Sequence, residues 1–160
     1  VGQASRPSIF GYSRGDLVTV QQAYRWGHID ADGPPLRDSA TVTVADDDGA
    51  TLLTVRSWTE PGPSGITPAR PVTVVAADGD IDLDTASLLR HALVQAFGGG
   101  GPVCCDLSGV TFFGAAAANL LLAMHRRAAE AGQLLLLRGV RAMTEHVLTV
   151  ADPHRVIARY

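Results

Sequence analysis

The chain has 160 residues, 46% hydrophobic and 18% charged, the composition of a folded globular protein rather than a disordered one. Its formal net charge is only −3 and its 13 basic residues, all arginine, form no cluster, which excludes a nucleic-acid-binding surface. No apolar run approaches the ~20 residues that cross a bilayer, and the opening Val1-Gly-Gln-Ala-Ser lacks the apolar core of a signal peptide; a cytoplasmic protein is expected.

Residues 1–50 read as an N-terminal extension. Short apolar runs, Leu17-Val18-Thr19-Val20 and Thr41-Val42-Thr43-Val44, are separated by turn-rich pieces such as Asp32-Gly33-Pro34-Pro35 and Asp46-Asp47-Asp48-Gly49. The pattern predicts a partly ordered tail with one or two β segments. It carries four arginines against seven aspartates, whereas the rest of the chain balances nine basic against nine acidic residues, so the acidity sits in the extension.

From Thr51 to Tyr160 the pattern sharpens into one domain. Thr51-Leu52-Leu53-Thr54-Val55-Arg56-Ser57-Trp58 reads as a strand, followed by a Pro/Gly/Ser connection from Glu60 to Pro68 and a second strand over Pro71–Ala77. Thr85–Phe97 reads as a helix capped by Asp84, with Leu88, Leu89, Ala92, Leu93 and Ala96 as its buried stripe. Gly98-Gly99-Gly100-Gly101-Pro102 stops that helix. A third strand over Pro102–Leu107, a long helix over Ala116–Ala131, a fourth strand over Gln133–Arg138 and a helix over Arg141–Val150 complete the order β-β-α-β-α-β-α. Strands alternating with helices imply a sheet with parallel pairs covered by helices.

Within this order, Gly79-Asp80-Ile81-Asp82-Leu83-Asp84-Thr85-Ala86 resembles the Gly-Glu-Leu-Asp loop that opens the first helix of STAS domains. Asp106-Leu107-Ser108-Gly109-Val110-Thr111-Phe112 is similar to that family's next strand-to-loop signature, and Leu120-Leu121-Leu122-Ala123-Met124-His125-Arg126-Arg127-Ala128 to its second helix. The resemblance covers about residues 70–157. It implies an α/β, STAS-like fold: a mixed sheet of four or five strands with three or more helices mainly on one face. It also implies a place in the bacterial anti-sigma factor antagonist branch, whose members bind an anti-sigma factor that is often a kinase. That kinase switches its antagonist off by phosphorylating a serine in an Asp-Ser-Ser-Gly segment at the start of the second helix.

Here the matching residues are Gly114-Ala115-Ala116-Ala117, so the acceptor position, Ala115, has no oxygen to modify. Phosphorylation adds roughly −1.5 to −2 charges, and alanine mimics only the unmodified state. The resemblance therefore implies a non-enzymatic antagonist-like regulator insensitive to that switch. The expected partner-binding residues are Asp80, Asp82, Ser108, Thr111, Ala115, Ala116, Asn119 and Leu122. The expected partner is a kinase-type anti-sigma factor or another STAS-domain protein, with neither nucleic acid nor membrane. The alternative is a scaffold that self-associates, as a homodimer or in a larger signalling assembly.

On a helical wheel, Ala117, Leu120, Leu121, Met124 and Ala128 share one face of the long helix and Asn119, Leu122, Arg126 and Glu130 the other, which leaves Leu122 apolar on a polar face. Other chemistries fail on spacing. The alternating Asp78, Asp80, Asp82 and Asp84 suggest a calcium loop, but an EF-hand needs Gly and Glu where Leu83 and Leu89 stand. The glycine run follows a helix and precedes a strand, the reverse of a phosphate loop. Five dispersed histidines (28, 91, 125, 146 and 154) show no ligand spacing, so neither metal nor cofactor is expected. Cys104 and Cys105, adjacent in a strand, point to opposite faces as two buried thiols.

Overall fold

The computed structural model describes residues 17–21, 40–62 and 70–159. The turn at Asp32-Gly33-Pro34-Pro35, His28 and most of the Glu60–Pro68 connection lie outside the described residues. The elements are β1 (Leu17–Gln21), β2 (Ala40–Ala45), β3 (Thr51–Glu60), β4 (Val72–Ile81), α1 (Ala86–Phe97), β5 (Val103–Phe113), α2 (Ala115–Glu130), β6 (Leu135–Arg138), α3 (Ala142–Ala151) and β7 (Ala158–Arg159).

All seven strands form one sheet in sequential order. β1 to β4 are an antiparallel meander, and β4 to β7 are parallel. Parallel neighbours cannot be joined by a tight turn, so each parallel step carries a helix. Crossovers of one hand, taken in one direction across the sheet, stack α1, α2 and α3 on a single face. The expected mixed sheet with helices on one face is therefore what forms. The strand count exceeds the expected four or five because β1 and β2 lengthen the antiparallel half and the two-residue β7 closes the other edge.

The helix-covered face holds the main core. Leu89 and Leu93 of α1, Leu121 and Met124 of α2 and Leu148 of α3 pack with Val55, Val75, Ala77, Cys105, Leu107, Leu135 and Leu137 of the sheet. Most of these side chains are fully buried, each stabilising by roughly 1.5–3 kcal/mol relative to exposure. The opposite face carries a smaller cluster of Val72, Val74, Cys104 and Leu136 with Trp58 beside it. The alternation of Cys104 and Cys105 between the two clusters matches the sequence expectation.

The helices begin and end within a residue or so of their expected bounds, because local signals mark them; Gly132, for example, sits just past α2 with φ +67. Among the strands that run further than expected, two reach the site. β4 continues beyond Ala77 to Ile81, and β5 continues beyond Leu107 to Phe113. Pairing sustains both: Gly79 and Val110 are partners, as are Ile81 and Phe113. The β5 extension is not regular. Ala76 pairs with Asp106 and Asp78 with Gly109; Gly79 pairs with Val110 and Asp80 with Phe112. Each step leaves one extra residue in β5, so two bulges re-aim its side chains. On the helix-covered face the core positions change from every second residue (Val103, Cys105, Leu107) to every third (Val110, Phe113), and Ser108 and Thr111 turn outward.

Candidate functional site

The β4–α1 junction is fixed by a reciprocal cap. The Asp82 carboxylate accepts from the backbone N–H groups of Asp84 (2.9 Å) and Thr85 (3.0 Å), and the Thr85 hydroxyl accepts from the Asp82 N–H at 3.0 Å. That exchange is a capping box, with Ala86 N donating to the Asp82 carbonyl at 3.0 Å to begin the first turn. The Thr85 hydroxyl in turn donates to the Asp80 carbonyl at 2.7 Å, locking the strand end to the helix start. Asp82 therefore holds the loop. Asp84 does not cap: it is exposed, and the cap forms two residues upstream, where the Asp82 carboxylate accepts from the Thr85 N–H and hydroxyl.

Burial alone would raise the Asp82 carboxyl, but the Thr85 N–H and hydroxyl with the Asp84 N–H together hold it below its ordinary value. Its contribution is thus present above the usual carboxylate range and is lost as pH falls through its lowered value. Asp82→Ala should cost about 1–2 kcal/mol at pH 7, with the difference from wild type shrinking in acid. Urea denaturation at pH 7 and pH 3 measures it; equal losses at both would exclude an ionised cap.

Beside this loop, the Thr111 hydroxyl donates to Asp80 Oδ1 at 2.6 Å, so the second bulge joins the exposed tip of β4. The first bulge goes elsewhere. Ser108 donates both its hydroxyl and its N–H (3.0 Å) to Asp106 Oδ1. Arg138 grips Asp106 Oδ2 through Nε and Nη2, each at 2.9 Å, and reaches Glu60 through Nη1 at 2.6 Å. The Trp58 indole N–H completes the network at Glu60 Oε2, 3.3 Å away. Asp106 and Arg138 pair across β5 and β6 on the helix-free face, so Ser108 belongs there. The structure thus unites Asp80, Asp82 and Thr111 and separates Ser108 from them.

α2 starts against the same loop. The Gly114 N–H donates to the Ile81 carbonyl at 2.9 Å, which sets the helix N-terminus beside the cap. Gly114 is the N-cap without any side-chain hydrogen bond, and the first turn contains no acidic residue. The unmatched N–H groups and partial positive charge of a helix start are therefore bare here. Ala115 and Asn119 are exposed and lie one turn apart on one face; Ala116 is half-buried. Leu122 differs from its expected place on a polar face: it is half-buried and packs against the main core, because the neighbouring elements wrap further around α2 than its own periodicity indicates.

Two residues outside the expected set complete the surface. Leu83 is 82% exposed at the tip of the capped loop, and Phe112 is 49% exposed one residue before the Phe113 that enters the core. An apolar residue between aspartates was the available signal for Leu83. Phe112 could not be told from Phe113 without the bulge. With Asp78, Asp80 and Asp84 exposed around them, the surface is apolar at two points, acidic at its rim and without a hydroxyl at the helix start.

No group of three metal-ligating side chains occurs among the described residues. Burial pushes the Cys104 thiol up to about 11, against the opposing pull of Arg138, and burial raises Cys105 further still. Both are protonated and unreactive at neutral pH. Among the described residues no helix is long and apolar enough to cross a membrane.

Residues 66–158 match the family model described as "Mlab, STAS domain". No curated protein matches the chain. Among solved structures, an anti-sigma factor antagonist from Mycobacterium paratuberculosis is 26% identical, with 66% of this chain and 85% of that one covered and a TM-score of 0.46. A Thermotoga maritima protein assigned as an anti-sigma factor antagonist is 16% identical, with 56% of this chain and 78% of that one covered; its TM-score of 0.50 is a likeness of fold.

Proposed function

The chain belongs to the STAS domain family, and from that membership we propose that it is a non-catalytic antagonist-like regulator that binds a kinase-type anti-sigma factor in the bacterial cytoplasm. In this reading residues 51–160 are the STAS domain, and residues 1–50 are an extension that contributes β1 and β2 to the edge of its sheet. The binding surface comprises Asp80, Thr111, Ala115, Ala116 and Asn119, with Leu83 and Phe112 as its apolar anchors. Asp82 shapes it through the cap, Leu122 supports it from the core side, and Ser108 contributes only through the separate network.

One observation carries the proposal. The exposed start of α2 is Gly114-Ala115-Ala116, so the surface has neither an acceptor oxygen nor an acidic side chain where a phosphoryl group would otherwise arrive. Exposed apolar side chains within an acidic rim favour a partner with an apolar pocket and basic surroundings. Protein binding without catalysis also accords with the two unreactive thiols.

The test is the affinity of the full chain for a kinase-type anti-sigma factor from the same bacterium, measured with and without prior incubation with ATP. Wild type should bind equally under both conditions. Ala115→Ser should make binding sensitive to ATP, and Leu83→Glu or Asp80→Arg should weaken it by about 10-fold or more. Wild-type affinity in both surface variants would place the interface elsewhere and sink the reading.

A further inference from the structure

β1 forms one edge of the sheet and, among the described residues, pairs on one side only, with β2. Every second residue of such a strand turns its N–H and C=O away from the sheet, a template for a further strand. Proteins that stay monomeric blunt their edges with charged residues, proline, bulges or very short strands. β1 has none of these. Its sequence, Leu17-Val18-Thr19-Val20-Gln21, contains neither charge nor proline, and its register against β2 runs unbroken through all five residues. The other edge is protected: β7 is two residues long, and one of them is Arg159.

Two identical strands paired antiparallel are related by a two-fold axis, so an open edge of this kind is complementary to its own copy. With the axis through Thr19, Val18 stands opposite the second copy's Val20, Leu17 opposite its Gln21, and Thr19 opposite its Thr19. No position in that register meets a like charge, and the three central positions are all β-branched, the residue type that favours cross-strand pairing. Pairing β1 with the β7 edge of another copy would instead add copies head to tail without closing. The brevity of β7 gives that arrangement almost no ladder, so association stops at two copies.

We propose that the chain forms a two-fold dimer by antiparallel pairing of β1 with the β1 of a second copy, which joins two seven-stranded sheets into one. The extension that supplies β1 and β2 thereby serves assembly. β1 is separated from β4 by β2 and β3, so the dimer leaves the partner surface open on both copies, and the inference does not rest on the partner reading. A single five-residue strand is roughly 17 Å long and covers less than the ~800 Å² per partner of a stable interface, so the dimer is weak and depends on concentration.

Sedimentation equilibrium of the full chain over about 1–500 μM tests this. Wild type should pass from monomer to dimer across that range. Thr19→Lys and Thr19→Glu each set like charges opposite one another at the axis, and each variant alone should dimerise about fivefold or more weakly than wild type. Mixed in equal amounts, the two should regain dimers, because the axis then pairs opposite charges. Within one copy position 19 pairs with the neutral Thr43 of β2, so both variants should keep the wild-type circular dichroism spectrum, which separates lost association from lost folding. A wild type that stays monomeric throughout, single variants that dimerise as well as wild type, or a mixture no more dimeric than its components overturns the proposal.

Discussion

Replacing Gly79 by alanine should destabilise the protein by about 3–5 kcal/mol, a large part of the 5–15 kcal/mol typical of a domain. Gly79 has φ +118, a conformation that side chains other than glycine's rarely adopt. A Cβ there would lie 2.3 Å from the Leu52 carbonyl oxygen and 3.2 Å from the Leu53 Cα. Both are backbone atoms of β3, so no side chain can swing away, and relief requires the β3–β4 pairing to open. Gly79 pairs with Leu53 on one side and Val110 on the other, immediately before the bulge that aims Asp80 and Thr111 at each other. The loss should therefore reach the partner surface as well as the fold. Urea denaturation followed by circular dichroism measures the first, and binding of Gly79→Ala at a temperature where it remains folded measures the second. A loss below about 1 kcal/mol would show that β3 yields more easily than this geometry implies.

The second large effect should follow from Arg138→Met, which removes the hub of the helix-free face. Asp106 is only 9% exposed and would lose its guanidinium while Ser108 and the partly exposed Glu60 remain. Breaking a fully buried pair costs about 3–5 kcal/mol; Arg138 and Glu60 keep 28% and 25% of their side-chain surface exposed, so about 2 kcal/mol is expected at pH 7. The pH dependence has a definite sign. Burial would raise the Asp106 carboxyl, but the Ser108 hydroxyl and N–H, with the hydrogen bond and charge of Arg138, hold it below its ordinary value. Wild type therefore gains stability from Asp106 above the ordinary carboxylate range and loses it as pH falls through the lowered value. The variant lacks much of that gain, so the two stabilities should converge below about pH 4. Unfolding free energies at pH 7 and pH 3 decide it. A gap that stays unchanged in acid would mean that Arg138 acts through packing and not through its charge.

Much of the architecture was legible residue by residue. The Leu88, Leu89 and Leu93 stripe placed α1, the glycine run and Gly132 marked where α1 and α2 stop, and the alternation of Cys104 and Cys105 assigned them to opposite faces. The absence of a hydroxyl at Ala115 was plain from its place after Gly114. The candidate surface was only partly legible. Asp80, Asp82 and Thr111 come together as expected, whereas Ser108 faces the Asp106–Arg138 network and Leu122 packs inward. Leu83 and Phe112, the most exposed apolar side chains beside the site, were not anticipated.

The division has a physical cause. The order of elements, their approximate ends, the hydroxyl-free start of α2 and the lack of ligand spacing were determined by the sequence itself, because each depends on residues within a turn or two of one another. The two bulges of β5, the choice of Asp82 as the cap and the joining of β1 and β2 to the sheet were decided only in the tertiary structure. Bulges and edge pairing depend on the register of a strand against a neighbour far away in the chain. The sequence of β5 is compatible with uninterrupted alternation; the demand that Val110 and Phe113 both reach the helix-covered core is what turns Ser108 and Thr111 outward, one to each face of the protein's chemistry.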